Sequence, residues 1–323
     1  MIILIPMLNT LSCLDLKGKE VDWFIEIKQN SSFTTVYMDK NNKHDFVTAP
    51  QINDSQNPAM LTIQQVFANK KFQTLMFNDQ DSDDLQTDTL AHQKGVIAFD
   101  PKSMTGFYML HTTPGWPNRQ NETLIYDSIS YGQDFLCINI DAKGLDLLGE
   151  NLYVTRPQIY SNSFNATFLQ SFAPYFTKVV AGQYNGKQNY TVTSFFSRGG
   201  QEFDLFFKNK YTQIEIWSEL IAMYKNADMK VETWLRDSNA TPYCKTNTVE
   251  MVAQVKFGSR MWKETQDHSK WGINADATFV CFADLNFQES QRKRGGGAFC
   301  LNDEDVAFAF MNAIVSMDDK LSC

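Results

Sequence analysis

Six cysteines, Cys13, Cys137, Cys244, Cys281, Cys300 and Cys323, are scattered over 323 residues, and this scatter limits the folds open to the chain. No pair stands two or four residues apart, so a zinc ribbon or a thioredoxin-type motif does not fit. An even number spread over the whole chain, one of them the last residue, suits disulfides formed in an oxidising compartment. Six buried thiols in a cytosolic protein are the alternative. Asn-x-Ser/Thr sequons at Asn30, Asn53, Asn121, Asn165, Asn189 and Asn239 favour the secretory route and mark these residues as glycosylation candidates. Residues 1–12, MIILIPMLNTLS, read as a signal peptide cleaved near Ser12, although the stretch is short and lacks a basic start. A buried first strand is the other reading.

Hydrophobic residues make up 43% and charged residues 20%, enough apolar material for a large core. No run approaches the roughly 18–20 apolar residues that span a bilayer, which excludes stable membrane insertion. The length suggests about two domains or one two-part fold. The formal net charge of -8 argues against tight nucleic-acid binding at neutral pH. In an acidic compartment carboxylates protonate, the histidines charge, and that repulsion falls.

Alternation predicts strands at Val21–Lys28, Gln73–Phe77, Gly95–Phe99, Gly106–Leu110, Phe135–Ile140, Lys230–Leu235, Val249–Phe257 and Phe279–Phe282. Helical spacing predicts helices at Met60–Asn69, Gln213–Tyr224 and Asp303–Met317, the last with an acidic first turn. No linker divides the chain, so any two halves pack together. Mixed strands and helices give an α/β or α+β class. A faint repeat is visible: His92-Gln93-Lys94 and His268-Ser269-Lys270 each precede apolar strands, which end in Leu110-His111-Thr112 and Ala283-Asp284-Leu285-Asn286.

Those triplets carry the chemistry. On an extended chain, positions i and i+2 share a face, so an imidazole and an ammonium can meet one ligand. The ammonium attracts a phosphate, and the imidazole attacks phosphorus or transfers a proton. Two triplets supply one neutral nucleophile and one protonated acid, a division that needs an intermediate pH and no metal. The other reading of each triplet is a solvated surface peptide. Gln291–Gly297 (QRKRGGG) could meet a phosphate through Arg292, Arg294 and backbone N–H groups, or be a solvated loop. His111, before the turn Thr112–Pro117, faces a cleft or sits in the core. His44 lies in a polar run and reads as an exposed loop residue. Trp271 reads as core, with base stacking as the alternative.

The motifs Val21-Asp22-Trp23-Phe24, Asn78-Asp79-Gln80, His92-Gln93-Lys94-Gly95-Val96, Tyr131-Gly132-Gln133, Asp267-His268-Ser269-Lys270-Trp271, Asp284-Leu285-Asn286 and Arg294-Gly295-Gly296-Gly297 occur in that order. In this respect the chain resembles the deoxyribonuclease II family, including its plancitoxin-like members, from about Cys13 to Cys323. The resemblance implies an α/β fold of two similar phospholipase D-like sandwich halves around a shared central site, divided at 13–150 and 151–323. It implies acid hydrolysis of DNA phosphodiesters without metal or cofactor, through a phosphohistidine, leaving 3′-phosphate ends. It implies His92, Lys94, His268, Lys270 and His111 as catalytic residues, with Asp284 and Asn286 in support. It also implies disulfides Cys13–Cys137, Cys244–Cys323 and Cys281–Cys300, and a secreted or lysosomal destination. DNA is the partner implied, and a homodimer is left open.

Three features bear on the alternatives. The family's phospholipase relatives carry an aspartate five residues after the motif lysine; here Phe99 and Ala275 stand there, which disfavours a lipid substrate. Gly272 replaces a cysteine found in some members and should not alter catalysis. Retention of both triplets disfavours a non-catalytic secreted binder of DNA or host protein, the main competing reading.

Overall fold

The computed structural model describes residues 10–80, 89–120, 123–235 and 243–323. Among these, two large sheets stack face to face. The first has eight strands in the order Ile159–Asn162, Gln73–Asn78, Lys94–Asp100, Thr105–His111, Gln133–Asp141, Trp23–Lys28, Thr35–Asp39 and Asn42–Ala49. All its neighbours are antiparallel. The second runs Tyr190–Phe196, Glu202–Lys208, Gly296–Leu301, Val280–Ala283, Trp271–Asn274, Met229–Glu232, Thr248–Phe257 and Tyr243–Cys244. The strands Arg260–Lys263 and Ile314–Met317 pair with Thr248–Phe257 as well. The class is mixed α/β. Ile159–Asn162 joins the first sheet although it lies beyond residue 150.

Period-two alternation explains the layering. Ile97, Phe99, Tyr108, Leu110, Leu136 and Ile138 of one sheet share a core with Trp271, Ile273, Val280, Phe282, Phe299 and Leu301 of the other. The alternate residues Val96, Ala98, Phe107 and Met109 instead meet Ala59, Met60 and Ile63 of the helix Pro58–Ala68. On the far side, Cys281, Ala283 and Ala298 meet Trp217, Leu220 and Ile221. Gly272 has a packing reason: a Cβ there would lie 2.8 Å from the Trp217 ring. Trp271 is fully buried in the middle core, so base stacking by it is excluded.

Two predicted helices differ. Gln213–Tyr224 becomes helical only at Trp217, opening with the wider π turn Trp217–Ala222 before Met223–Lys225. The helix predicted over Asp303–Met317 starts as expected, with Asp303 capping Val306 N and Glu304 and Asp305 in its first turn. It stops at Ala313, and Ile314–Met317 becomes a strand on Thr248–Phe257. β-branched Ile314 and Val315 favour that extended pairing.

Three disulfides, Cys13–Cys137, Cys244–Cys323 and Cys281–Cys300, join the pairs that the resemblance implies. Residues 1–9 lie outside the described residues, whereas Leu11 and Ser12 are fully buried. Cleavage after Ser12 would therefore strip Leu11 from the core. Of the sequons, Asn53 and Asn165 are exposed, Asn189 is half-buried, and Asn30 is too buried to present a glycan. Asn121 and Asn239 lie outside the described residues. No helix is long and apolar enough to cross a membrane among the described residues.

One buried acid makes stability depend on pH. Glu26 is fully buried on Trp23–Lys28 and accepts from Asn57, the cap of the helix Pro58–Ala68. Burial pushes its carboxyl up to about 7, against hydrogen bonds from Thr35 and Asn57 that pull it down. A carboxyl whose folded value exceeds its unfolded one stabilises fully below the unfolded value of about 4.5 and loses that contribution as pH rises through 7. The whole effect is about 3 kcal/mol. In urea unfolding at pH 5 and pH 8, Glu26→Gln should flatten the pH dependence by about 2 kcal/mol relative to the parent. An unchanged slope would mean that this carboxyl is ionised in the fold.

Candidate active site

Each triplet leads into a strand with polar and apolar neighbours on both sides. His92-Gln93-Lys94 enters Lys94–Asp100, and His268-Ser269-Lys270 enters Trp271–Asn274. Gln93 and Ser269, the intervening residues, are fully buried and anchor the chain. Gln93 Nε2 donates to Asp284 Oδ2 at 2.8 Å, and Ser269 Oγ donates to Asp267 Oδ1 at 2.5 Å.

The two triplets are held by reciprocal backbone bonds. His92 N–H donates to the Gly295 carbonyl at 2.8 Å, and His268 N–H to the Gly132 carbonyl at 2.9 Å. Each glycine sits immediately before a strand of the other sheet, Gly296–Leu301 or Gln133–Asp141. Neither position admits a side chain. A Cβ on Gly132 would lie 2.7 Å from Asp267 Cγ, and one on Gly295 would collide with the Thr155 carbonyl. Asp267 has no room to yield, because Trp262 Nε1 and Ser269 both bind its oxygens.

Around His92, Nδ1 lies 2.6 Å from the Asp284 backbone oxygen, a pure acceptor. Nδ1 therefore carries the proton and Nε2 the lone pair. Burial holds this imidazole down to about 3, opposed by Asp79 and reinforced by Lys94, Lys270 and Arg294. Lys94 Nζ donates to Asp79 Oδ1, and Arg294 Nη2 lies 3.3 Å from Asp79 Oδ2. Burial opposes ionisation of Asp79, but Lys94, His92 and Arg294 together hold it well below the usual carboxylate range.

The His268 ring is clamped by aromatics. Tyr131 stacks on it with centroids 4.1 Å apart and an 11° tilt, and Trp234 lies at 4.3 Å. Lys270 is buried, donates from Nζ to the His268 carbonyl at 2.7 Å, and receives Asp134 Oδ2 on its backbone N–H at 2.8 Å. Burial lowers its ammonium to about 8, with Lys94 adding repulsion and Asp134, Asp79 and Glu232 opposing. Lys94, Lys270 and His92 lie close enough to influence one another's charge, so these three share one electrostatic pocket.

Acids line this pocket in two states. Burial raises Asp134 and Asp284 to about 7. Burial also raises Asp267, and it drives Glu232 well above its ordinary value.

The other predicted residues divide. Asp284 joins the site, anchoring Gln93 and accepting from Gly297 N at 2.8 Å. Asn286 is buried two residues on, its Oδ1 without a hydrogen-bond partner among the described residues. His111 does not face a cleft: it is 1% exposed, edge-on to Trp116 at 4.9 Å, and burial and Lys94 hold it neutral. Arg294 enters the site, whereas Arg292 turns away to Glu219 and Glu289. His44 is exposed as expected but lies on the strand Asn42–Ala49, 3.2 Å from Asp305. Asp79, Asp134, Glu232, Asp267, Tyr131 and Trp234 were not assigned roles from the sequence. Some stand in the quoted motifs, but only burial shows what they do.

Two imidazole–ammonium triplets, each tied to a glycine carbonyl of the other sheet and surrounded by buried acids, form the candidate site. The deoxyribonuclease II family model matches residues 12–320. Deoxyribonuclease-2 of Caenorhabditis elegans is 29% identical, covering 90% of this chain and 89% of its own. Cell-death-related nuclease 7 of the same organism is 27% identical over 95% and 88%, and plancitoxin-1 of Acanthaster planci 26% over 96% and 92%. The chain belongs to the deoxyribonuclease II family and is a DNase II-type nuclease.

Proposed function

We propose that the chain is an acid endodeoxyribonuclease that hydrolyses DNA phosphodiester bonds without metal, through a phosphohistidine, leaving 3′-phosphate ends. The observation that supports this reading is the reciprocal seating of the two triplets, each on a glycine carbonyl of the other sheet, with the His92 tautomer set by the Asp284 carbonyl. His92 Nε2 attacks phosphorus, forming an N–P bond as the P–O5′ bond breaks. His268, protonated and flanked by the π faces of Tyr131 and Trp234, gives its proton to the departing 5′ oxygen. Water, deprotonated by the now neutral His268, then breaks the N–P bond and leaves phosphate on the 3′ oxygen. Lys94, Lys270 and Arg294 stabilise charge on the non-bridging oxygens. His111 acts as a positioning residue behind Lys94.

The acid requirement follows from the lining. Asp134 and Asp284, at about 7, become neutral as pH falls to 5, while Lys270, at about 8, keeps its charge. The pocket therefore turns more positive towards phosphate on acidification, despite a net charge of -8 at pH 7. The order of strands around each triplet supports the finer fold reading of two phospholipase D-like halves. Gln73–Asn78, Lys94–Asp100, Thr105–His111 and Gln133–Asp141 adjoin in one sheet; Met229–Glu232, Trp271–Asn274, Val280–Ala283 and Gly296–Leu301 adjoin in the other. The disulfides support a secreted or lysosomal destination.

Supercoiled plasmid at pH 5 with EDTA tests the reading. Nicking is expected, with ends that a polymerase extends only after phosphatase treatment. Loss of activity in EDTA, 5′-phosphate ends, or an unchanged rate in His268→Ala would overturn it.

A further inference from the structure

Behind the His92 side of the site lies a second feature that the mechanism does not use. A small groove is walled by Thr89, Arg156, Tyr184, Lys210, Tyr211 and Gly295, and among the described residues no carboxylate lines it. It shares its wall with the site. Ala91 N–H donates to the Arg156 carbonyl at 3.1 Å, and Gly295 is the residue that receives His92 N–H. A larger groove lined by four acids, Asp45, Asp276, Glu304 and Asp305, lies elsewhere. In a chain of net charge -8, the described residues of this wall carry two cations, Arg156 and Lys210, beside the candidate site.

The cations are held in place. The Arg156 guanidinium lies 5.6 Å from the Tyr184 ring centroid, and Lys210 Nζ 5.4 Å from that of Tyr211. Lys210 also donates to the Thr89 carbonyl at 3.2 Å. Arg156 caps the helix Ala142–Thr155 with φ +61°, a left-handed position where glycine is the ordinary residue. A side chain there incurs strain, and the guanidinium is what the strained position presents to the groove.

Resting on the nuclease reading, we propose that this groove is a subsite for the DNA backbone flanking the scissile phosphate. Arg156 and Lys210 bind non-reacting phosphates, and Tyr184 and Tyr211 fix the two cations by cation–π contact. The groove thus lengthens the footprint on DNA without touching the reacting bond.

The test is the full chain carrying Arg156→Gly/Lys210→Ala. Glycine keeps the left-handed cap and its carbonyl contact, so the guanidinium alone is lost. Lys17→Ala/Lys19→Ala, two exposed lysines away from the groove, matches the change in net charge. With long duplex DNA at pH 5, the groove variant should raise the half-saturating concentration about tenfold and lower the log–log salt slope by about two. Its turnover, and its hydrolysis of bis(4-nitrophenyl) phosphate, should match the parent. A groove variant that behaves on DNA like the Lys17/Lys19 control, at every salt concentration, would overturn the proposal. Should the parent cleave neither substrate, the nuclease mechanism fails on its own. Anisotropy of a fluorescein-labelled duplex then decides the groove by the same affinity and slope criteria.

Discussion

His92→Ala should lower DNA cleavage at pH 5 by at least ~10³-fold, and His268→Ala should do the same, because each removes one of two indispensable proton or phosphoryl carriers. A substrate with a good leaving group separates their roles. Nitrophenolate departs without a proton, so His268→Ala should still release a burst of nitrophenol from a nitrophenyl phosphodiester and accumulate phosphoenzyme. His92→Ala should give no burst. The physical basis is the bond from His92 Nδ1 to the Asp284 carbonyl, which leaves Nε2 as the nucleophilic nitrogen. Burial, reinforced by Lys94, Lys270 and Arg294 against Asp79, keeps that nitrogen unprotonated even in acid. A burst in His92→Ala and none in His268→Ala would reverse the assignment.

Removing the Cys13–Cys137 disulfide should be the most destabilising single cross-link loss. It joins residues 124 apart, whereas Cys281–Cys300 spans 19 and links directly paired strand residues. Closing the longer loop restrains the unfolded chain more, about 5 kcal/mol against about 3 kcal/mol. Urea midpoints of Cys13→Ala/Cys137→Ala and Cys281→Ala/Cys300→Ala should fall in that order. The bridge has a second task, since it pins the segment carrying Leu11 against Gln133–Asp141. An equal or smaller loss from the longer loop would show that unfolded-state restraint is not its contribution.

The elements that could be read in the sequence are those whose own pattern matches their surroundings. Trp23–Lys28, Gln73–Asn78, Lys94–Asp100, Thr105–His111 and Thr248–Phe257 carry dense apolar runs because they are buried within their sheets. Asn42–Ala49 escaped notice because it is a polar edge strand, largely exposed. The helix Ala142–Thr155 was hidden by its glycines. Gly149 is there because a Cβ would lie 2.5 Å from Phe176 Cα, a tertiary reason invisible in a local window. The His-x-Lys spacing was legible because both members belong to one short segment. Asp134, Asp267 and Glu232 were not, since an acid becomes unusual only when a distant part of the chain covers it.

The amide-to-glycine exchange across the seam has a consequence for biogenesis. Each histidine N–H is held by a glycine carbonyl that the other sheet delivers, so neither sheet alone seats the two triplets. Under the proposed mechanism, cleavage therefore begins only once the two sheets have docked.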